Sequence, residues 1–167
     1  IFDYLLLIVL FTLLKYESKK LLIFCYWLSP IVIYITYIHG QLDILPLTLL
    51  MSCILAITFQ RFKLSGFLIA LAVSSKLSMI IALPFILIYI NNRNGFNREI
   101  RDFIFSFSLL IFLFIGIYFF SNGYFLMVFQ SREFSRLYSV FVLYGKDFKL
   151  YVVPIIYFLS LYLIWRL

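Results

Sequence analysis

The reading of the chain turns on Gly66-Phe67-Leu68-Ile69-Ala70-Leu71-Ala72-Val73-Ser74-Ser75-Lys76, part of an apolar run from Leu64 to Ile90 that also holds Pro84. A membrane span needs about 20 apolar residues at 1.5 Å each, and this run exceeds that length. If it crosses once, Lys76 lies near the bilayer centre at a cost of at least ~2.5–3.5 kcal/mol. The polar segment from Asn91 to Asp102 is then opposite Arg61 and Lys63. If the run is a hairpin of two short helices meeting near Lys76, the ammonium reaches an aqueous cavity, where broken helices are tolerated. Both basic segments then share one side. The positive-inside rule favours the single crossing. The polar motifs below favour the hairpin, which is the expectation adopted.

Outward from that run the chain keeps the same character. Its 167 residues are 65% hydrophobic and 13% charged, against roughly 45–50% apolar in an ordinary domain. So little polar surface excludes a soluble enzyme, a disordered tail and a nucleic-acid-binding domain as main readings. The net charge of +7 sits in short clusters between apolar runs, the distribution of loops between spans. Candidate spans are Phe2 to Leu14, Leu21 to Ile38, Ile44 to Phe59, Leu64 to Ile90, Phe103 to Phe120 and Leu150 to Trp165. Ser121 to Lys149 is a mixed aromatic and charged connection. The expected fold is therefore all-α, a polytopic transmembrane helix bundle with one broken helical hairpin, forming a single transmembrane domain over residues 1–167. The expected location is an integral, multi-pass one, in the plasma membrane of a prokaryote or the endoplasmic reticulum of a eukaryote. Ile1 stands inside an apolar stretch with no initiator methionine, which reads as an internal part of a longer protein.

Three polar constellations interrupt the apolar background. His39-Gly40-Gln41-Leu42-Asp43 offers groups that exchange protons or bind phosphate and sugar hydroxyls, beside a glycine that permits close approach. The bland alternative is a turn between two spans. Lys76 is a functional-site hypothesis by its position, against a snorkelling side chain. The small residues Gly66, Ala70 and Ser74 share a helix face suited to close packing. Gln130-Ser131-Arg132-Glu133-Phe134-Ser135-Arg136-Leu137-Tyr138-Ser139 carries arginines and hydroxyls that suit an anionic head group, against an ordinary amphipathic helix. Asp3 is a lone acid in the first apolar run. Cys25 and Cys53 lie in apolar runs as small hydrophobes. With His39 the only histidine, neither a metal site nor a disulfide framework is indicated.

Taken together, Ser29-Pro30, His39-Gly40-Gln41-Leu42-Asp43, Gly66, Ala72, Lys76 and Pro84 resemble, in that order, the polytopic GT-C glycosyltransferases. The chain is most similar to the polyprenol-phosphate-mannose-dependent and GPI mannosyltransferase types. Residues 29 to 84 carry the specific part. The resemblance implies transfer of a sugar, such as mannose, from a polyprenyl-phosphate-linked donor to a hydroxyl of a glycan or lipid acceptor. It implies inversion at the anomeric carbon, membrane lipid as surroundings and no cofactor or metal. Asp43 would position the acceptor or act as base, and Asp3, His39, Gln41, Lys76, Arg132 and Ser139 would bind substrate. One feature departs from the pattern: the large external loop that bears the catalytic aspartate in those enzymes has no counterpart here. A multi-pass transporter or lipid flippase is the rival, since it too uses intramembrane charge and broken helices.

Overall fold

The computed structural model describes residues 2–14, 19, 43–94, 98–119, 141–144 and 148–166. Six α-helices are found there: α1 (Phe2–Leu13), α2 (Ile44–Thr58), α3 (Phe62–Ser75), α4 (Leu83–Asn94), α5 (Arg98–Phe119) and α6 (Val152–Arg166). A 3-10 helix, Leu77–Ala82, joins α3 to α4. Strands β1 (Phe141–Tyr144) and β2 (Phe148–Tyr151) form an antiparallel pair in which Phe141 faces Tyr151 and Tyr144 faces Phe148.

These lengths overturn two expectations. Among the described residues no helix is long and apolar enough to cross a membrane. Both the polytopic transmembrane bundle and the multi-pass integral membrane location are corrected by that finding. The physical reason lies in where helices start and stop. Pro46, Pro84 and Pro154 all occupy the first turn of a helix, where a missing N–H costs nothing. Pro84 and Pro154 therefore each mark a new beginning inside what reads as one apolar run. The run from Leu64 to Ile90 is divided among α3, the 3-10 helix and α4. Leu150 and Tyr151 open the last run as strand residues, leaving α6 with 15 residues. Only α5, at 22 residues, has the length, yet Arg98, Glu99, Arg101 and Asp102 occupy its first turns. Phe103 to Phe119 then gives about 25 Å at 1.5 Å per residue, short of the ~30 Å hydrocarbon core. Leu21 to Ile38 lies outside the described residues.

Packing centres on α3. A Cβ on Gly66 would overlap the Phe103 carbonyl oxygen and stand 3.2 Å from the Phe107 amide nitrogen. Glycine is what lets α3 and α5 approach to backbone contact. The Ser106 hydroxyl donates to the Lys63 carbonyl across the same seam at 2.6 Å. On the other side of α3, Cys53 Sγ and Ser65 Oγ lie 3.4 Å apart in full burial. Ile57, Phe62, Ile69, Ala72, Val73, Ile86, Ile90, Ile100 and Phe103 form one core with Cys53. At the far end, Tyr157 of α6 donates to the Ile81 carbonyl at 3.1 Å and meets the Phe85 ring edge-on.

Two turns orient everything that follows. After α2, Gln60 N–H donates to the Ile57 carbonyl and Arg61 N–H to that of Ala56, both at 2.9 Å. This is a Schellman stop, whose left-handed position normally falls to glycine; here Gln60 fills it at φ 58°. After α3, the hydroxyls of Ser74 and Ser75 both donate back to the Leu71 carbonyl, an alternative partner that weakens the last helical turn. Lys76 then leaves helical geometry for φ −151°, ψ 112°. The chain continues through the 3-10 helix into α4, whose end leads to α5. Residues 98, 99 and 102 of α5 come to line one pocket with residues 60–64. The two basic segments thus share one cavity, at the start of α3 and the start of α5.

Candidate active site

Asp43 ends the polar His39–Asp43 motif and immediately precedes α2. An aspartate there ordinarily caps the helix by accepting a backbone N–H. Its side chain makes no such bond. Instead, Lys76 Nζ donates to Asp43 Oδ1 at 2.9 Å, joining positions 33 apart in sequence. The α2–α3 pair makes this possible: α2 starts where α3 stops. The extended backbone at Lys76 turns its side chain out of the helical path toward that start.

Exposure decides what the pair is worth. The Lys76 side chain is 26% exposed and that of Asp43 is 55% exposed. Surface pairs of this kind contribute about 0–1 kcal/mol, because water competes for both charges. The carboxylate is therefore held in place without being locked, and the ammonium can exchange partners.

Asp3 stands at the same end. The Thr48 hydroxyl, little more than one turn into α2, donates both to the Ile44 carbonyl at 2.7 Å and to the Phe2 carbonyl at 3.2 Å. This fastens the first turn of α1 to the first turns of α2. Asp3 in that turn is only 5% exposed, and an acid at a helix N-terminus complements the positive end of the macrodipole. Of the residues singled out in the sequence, Asp3, Asp43 and Lys76 thus share one end of the helix cluster. His39, Gln41, Arg132 and Ser139 lie outside the described residues. No group of three or more potential metal-ligating side chains occurs among the described residues.

The other end carries a cluster that sequence reading treats only as loop charge. Arg61, Lys63, Arg98, Glu99 and Asp102 line a cavity of about 470 Å³ with Gln60, Phe62 and Leu64. The available signal is that two basic runs, 61–63 and 98–101, bracket the run whose hairpin closure brings them together. Cys53, the one cysteine among the described residues, is spent on packing: burial pushes its thiol up to about 11, partly offset by the Ser65 hydroxyl. A thiol so placed is inert near neutrality. No family model, curated protein or solved structure matches the chain.

Proposed function

We propose that the Asp43–Lys76 pair is the working centre of a glycosyltransferase that takes its sugar from a polyprenyl-phosphate donor. The observation that carries this reading is the 2.9 Å contact between an acid and a base from separate segments, both open to solvent. An acceptor hydroxyl attacks the anomeric carbon from the face opposite the phosphate. As the new C–O bond forms, Asp43 accepts the hydroxyl proton. The bond from the anomeric carbon to the phosphate oxygen breaks, and polyprenyl phosphate departs with the electron pair. Lys76 stabilises the charge that grows on that oxygen, an interaction strongest in the transition state. Because the resting pair contributes so little, donor phosphate draws Lys76 from Asp43 at small cost. The carboxylate is thereby freed as it is needed.

The test is sugar transfer from polyprenyl-phosphate mannose by the full chain, comparing Asp43→Asn, Lys76→Met and the exchanged pair Asp43→Lys with Lys76→Asp. Each single substitution is expected to lower kcat at least tenfold, the scale of one charge-assisted contact. The exchanged pair rebuilds the ion pair with the charges in the wrong places and remains inactive. Wild-type turnover in both single variants, or recovery in the exchanged pair, overturns the assignment.

A further inference from the structure

We infer that the cavity between the start of α3 and the start of α5 is a second binding site, for a phosphate ester that also carries hydroxyl groups. Three cations, Arg61, Lys63 and Arg98, converge on it from two segments more than thirty positions apart. Glu99 and Asp102 line the same space, yet among the described residues none of the three cations makes an ion pair with either acid. Charges of both signs that share a cavity without pairing remain available to a ligand that supplies the complement of each.

The second observation fixes the ligand's other half. Glu99 Oε2 is buried and has no hydrogen-bond partner among the described residues. A buried carboxylate oxygen left unpaired is costly, and an entering hydroxyl donor removes that cost. The cations and the N-terminal turn of α5, with its outward N–H groups and positive dipole end, favour an anion. A phosphate alone leaves Glu99 unsatisfied, and a neutral polyol leaves three cations idle. A phosphorylated polyol meets both. The cavity volume of about 470 Å³ lies within the roughly 300–1,000 Å³ of small-molecule sites. The site is also separate from the Asp43–Lys76 pair: they stand at opposite ends of α3, whose 14 residues extend about 21 Å.

The experiment titrates the full chain by calorimetry with glucose 6-phosphate, inorganic phosphate, glucose and phosphatidylinositol in neutral detergent micelles. The soluble and lipid-borne arms distinguish the two sources of the same chemistry. Saturable binding is expected for at least one phosphorylated polyol, with none for glucose and weaker binding of inorganic phosphate. Arg61→Gln and Arg98→Gln each weaken it about ten- to a hundredfold, as charge-assisted contacts do. Added salt weakens it further. Glu99→Gln separates ligand binding from architecture. It lowers affinity for the phosphorylated polyol and not for inorganic phosphate, while the unliganded chain keeps its unfolding midpoint, because among the described residues Oε2 has no hydrogen bond to lose. Binding of neither phosphorylated polyol overturns the site. Binding untouched by the arginine substitutions, or equal loss of phosphate and polyol phosphate in Glu99→Gln, does the same.

Discussion

Replacing Gly66 with alanine tests the central seam of the fold. A methyl group at this position would meet the Phe103 carbonyl oxygen, the Phe103 carbonyl carbon at 3.1 Å and the Phe107 amide nitrogen at 3.2 Å. All three are backbone atoms, so no rotamer change relieves the contact and α3 and α5 must separate. Ile69, Ala70 and Phe103, each fully buried, then lose dispersion contacts together. Overpacking of this kind costs about 1–3 kcal/mol, and the backbone character of the clash places Gly66 in the upper half of that range. Alanine returns about 1 kcal/mol through its better helix propensity, for a net destabilisation of roughly 1–2 kcal/mol. Gly116, in α5, is the matched control: a Cβ there meets nothing within 4 Å. Gly116→Ala receives the propensity gain alone, about 0.5–1 kcal/mol. Urea unfolding followed by far-ultraviolet circular dichroism should move the two midpoints in opposite directions. A Gly66→Ala chain at least as stable as the wild type would refute the seam as described.

Phe103→Ala, emptying the largest fully buried side chain among the described residues, is expected to cost about 3–5 kcal/mol in the same assay. Gln60→Gly should raise stability by about 1 kcal/mol, since glycine takes the left-handed position without the penalty of a side chain; an unchanged or lower midpoint would contradict the Schellman geometry. Asp43→Asn and Lys76→Met should each change stability by no more than about 1 kcal/mol, so that a large fall in the unfolding midpoint would make the pair structural. In a Cys25→Ser background, Cys53 should resist iodoacetamide at pH 8 until urea unfolds the chain. Its folded-state pKa is raised from 9.0 to about 11, so its contribution to stability is complete below pH 9 and is lost as pH rises from about 9 to 11. The loss amounts to roughly 2–3 kcal/mol, and a Cys53→Ala chain should show that much less loss over this interval.

The local breaks were legible in the sequence because each has a short-range cause. Ser74-Ser75-Lys76 offers the backbone two competing acceptor-seeking hydroxyls and a charge, and the helix ends there. Gly66, Ala70 and Ser74 read as a packing face, and Gly66 does pack against backbone. Asp43 and Lys76 were singled out separately for their chemistry, and the structure brings them within 2.9 Å. What composition obscured was helix length. An apolar run records where water is excluded, whereas a helix ends where hydrogen bonding and φ preferences end it. Pro84 and the extended backbone at Lys76 act on those preferences inside a run that reads as apolar from Leu64 to Ile90 apart from Ser74-Ser75-Lys76. For the Arg61–Lys63–Arg98 cluster the sequence offers only two basic segments on one side of a hairpin; that they line one cavity depends on the close approach of α3 to α5, which no local signal carries.

The same contrast is why the proposed chemistry rests on the Asp43–Lys76 pair and not on the Cys53–Ser65 contact. Cys53 and Ser65 satisfy one another in the interior, and separating them would expose two desolvated groups at once, at about 1–3 kcal/mol for each unsatisfied partner. Such a contact holds α2 to α3 and has nothing left to offer a substrate. Lys76 and Asp43 lie at the rim, where water has already discounted their attraction to about 1 kcal/mol or less. A phosphate and a hydroxyl together present the two groups with better partners than either provides the other. The extended backbone at Lys76 and the uncapped start of α2 keep the two side chains in register while leaving both able to turn to those partners. In the proposed mechanism a strong pair would bury its own reactivity, whereas a weak one, fixed by its backbones, would hold an acid and a base ready within one hydrogen-bond length.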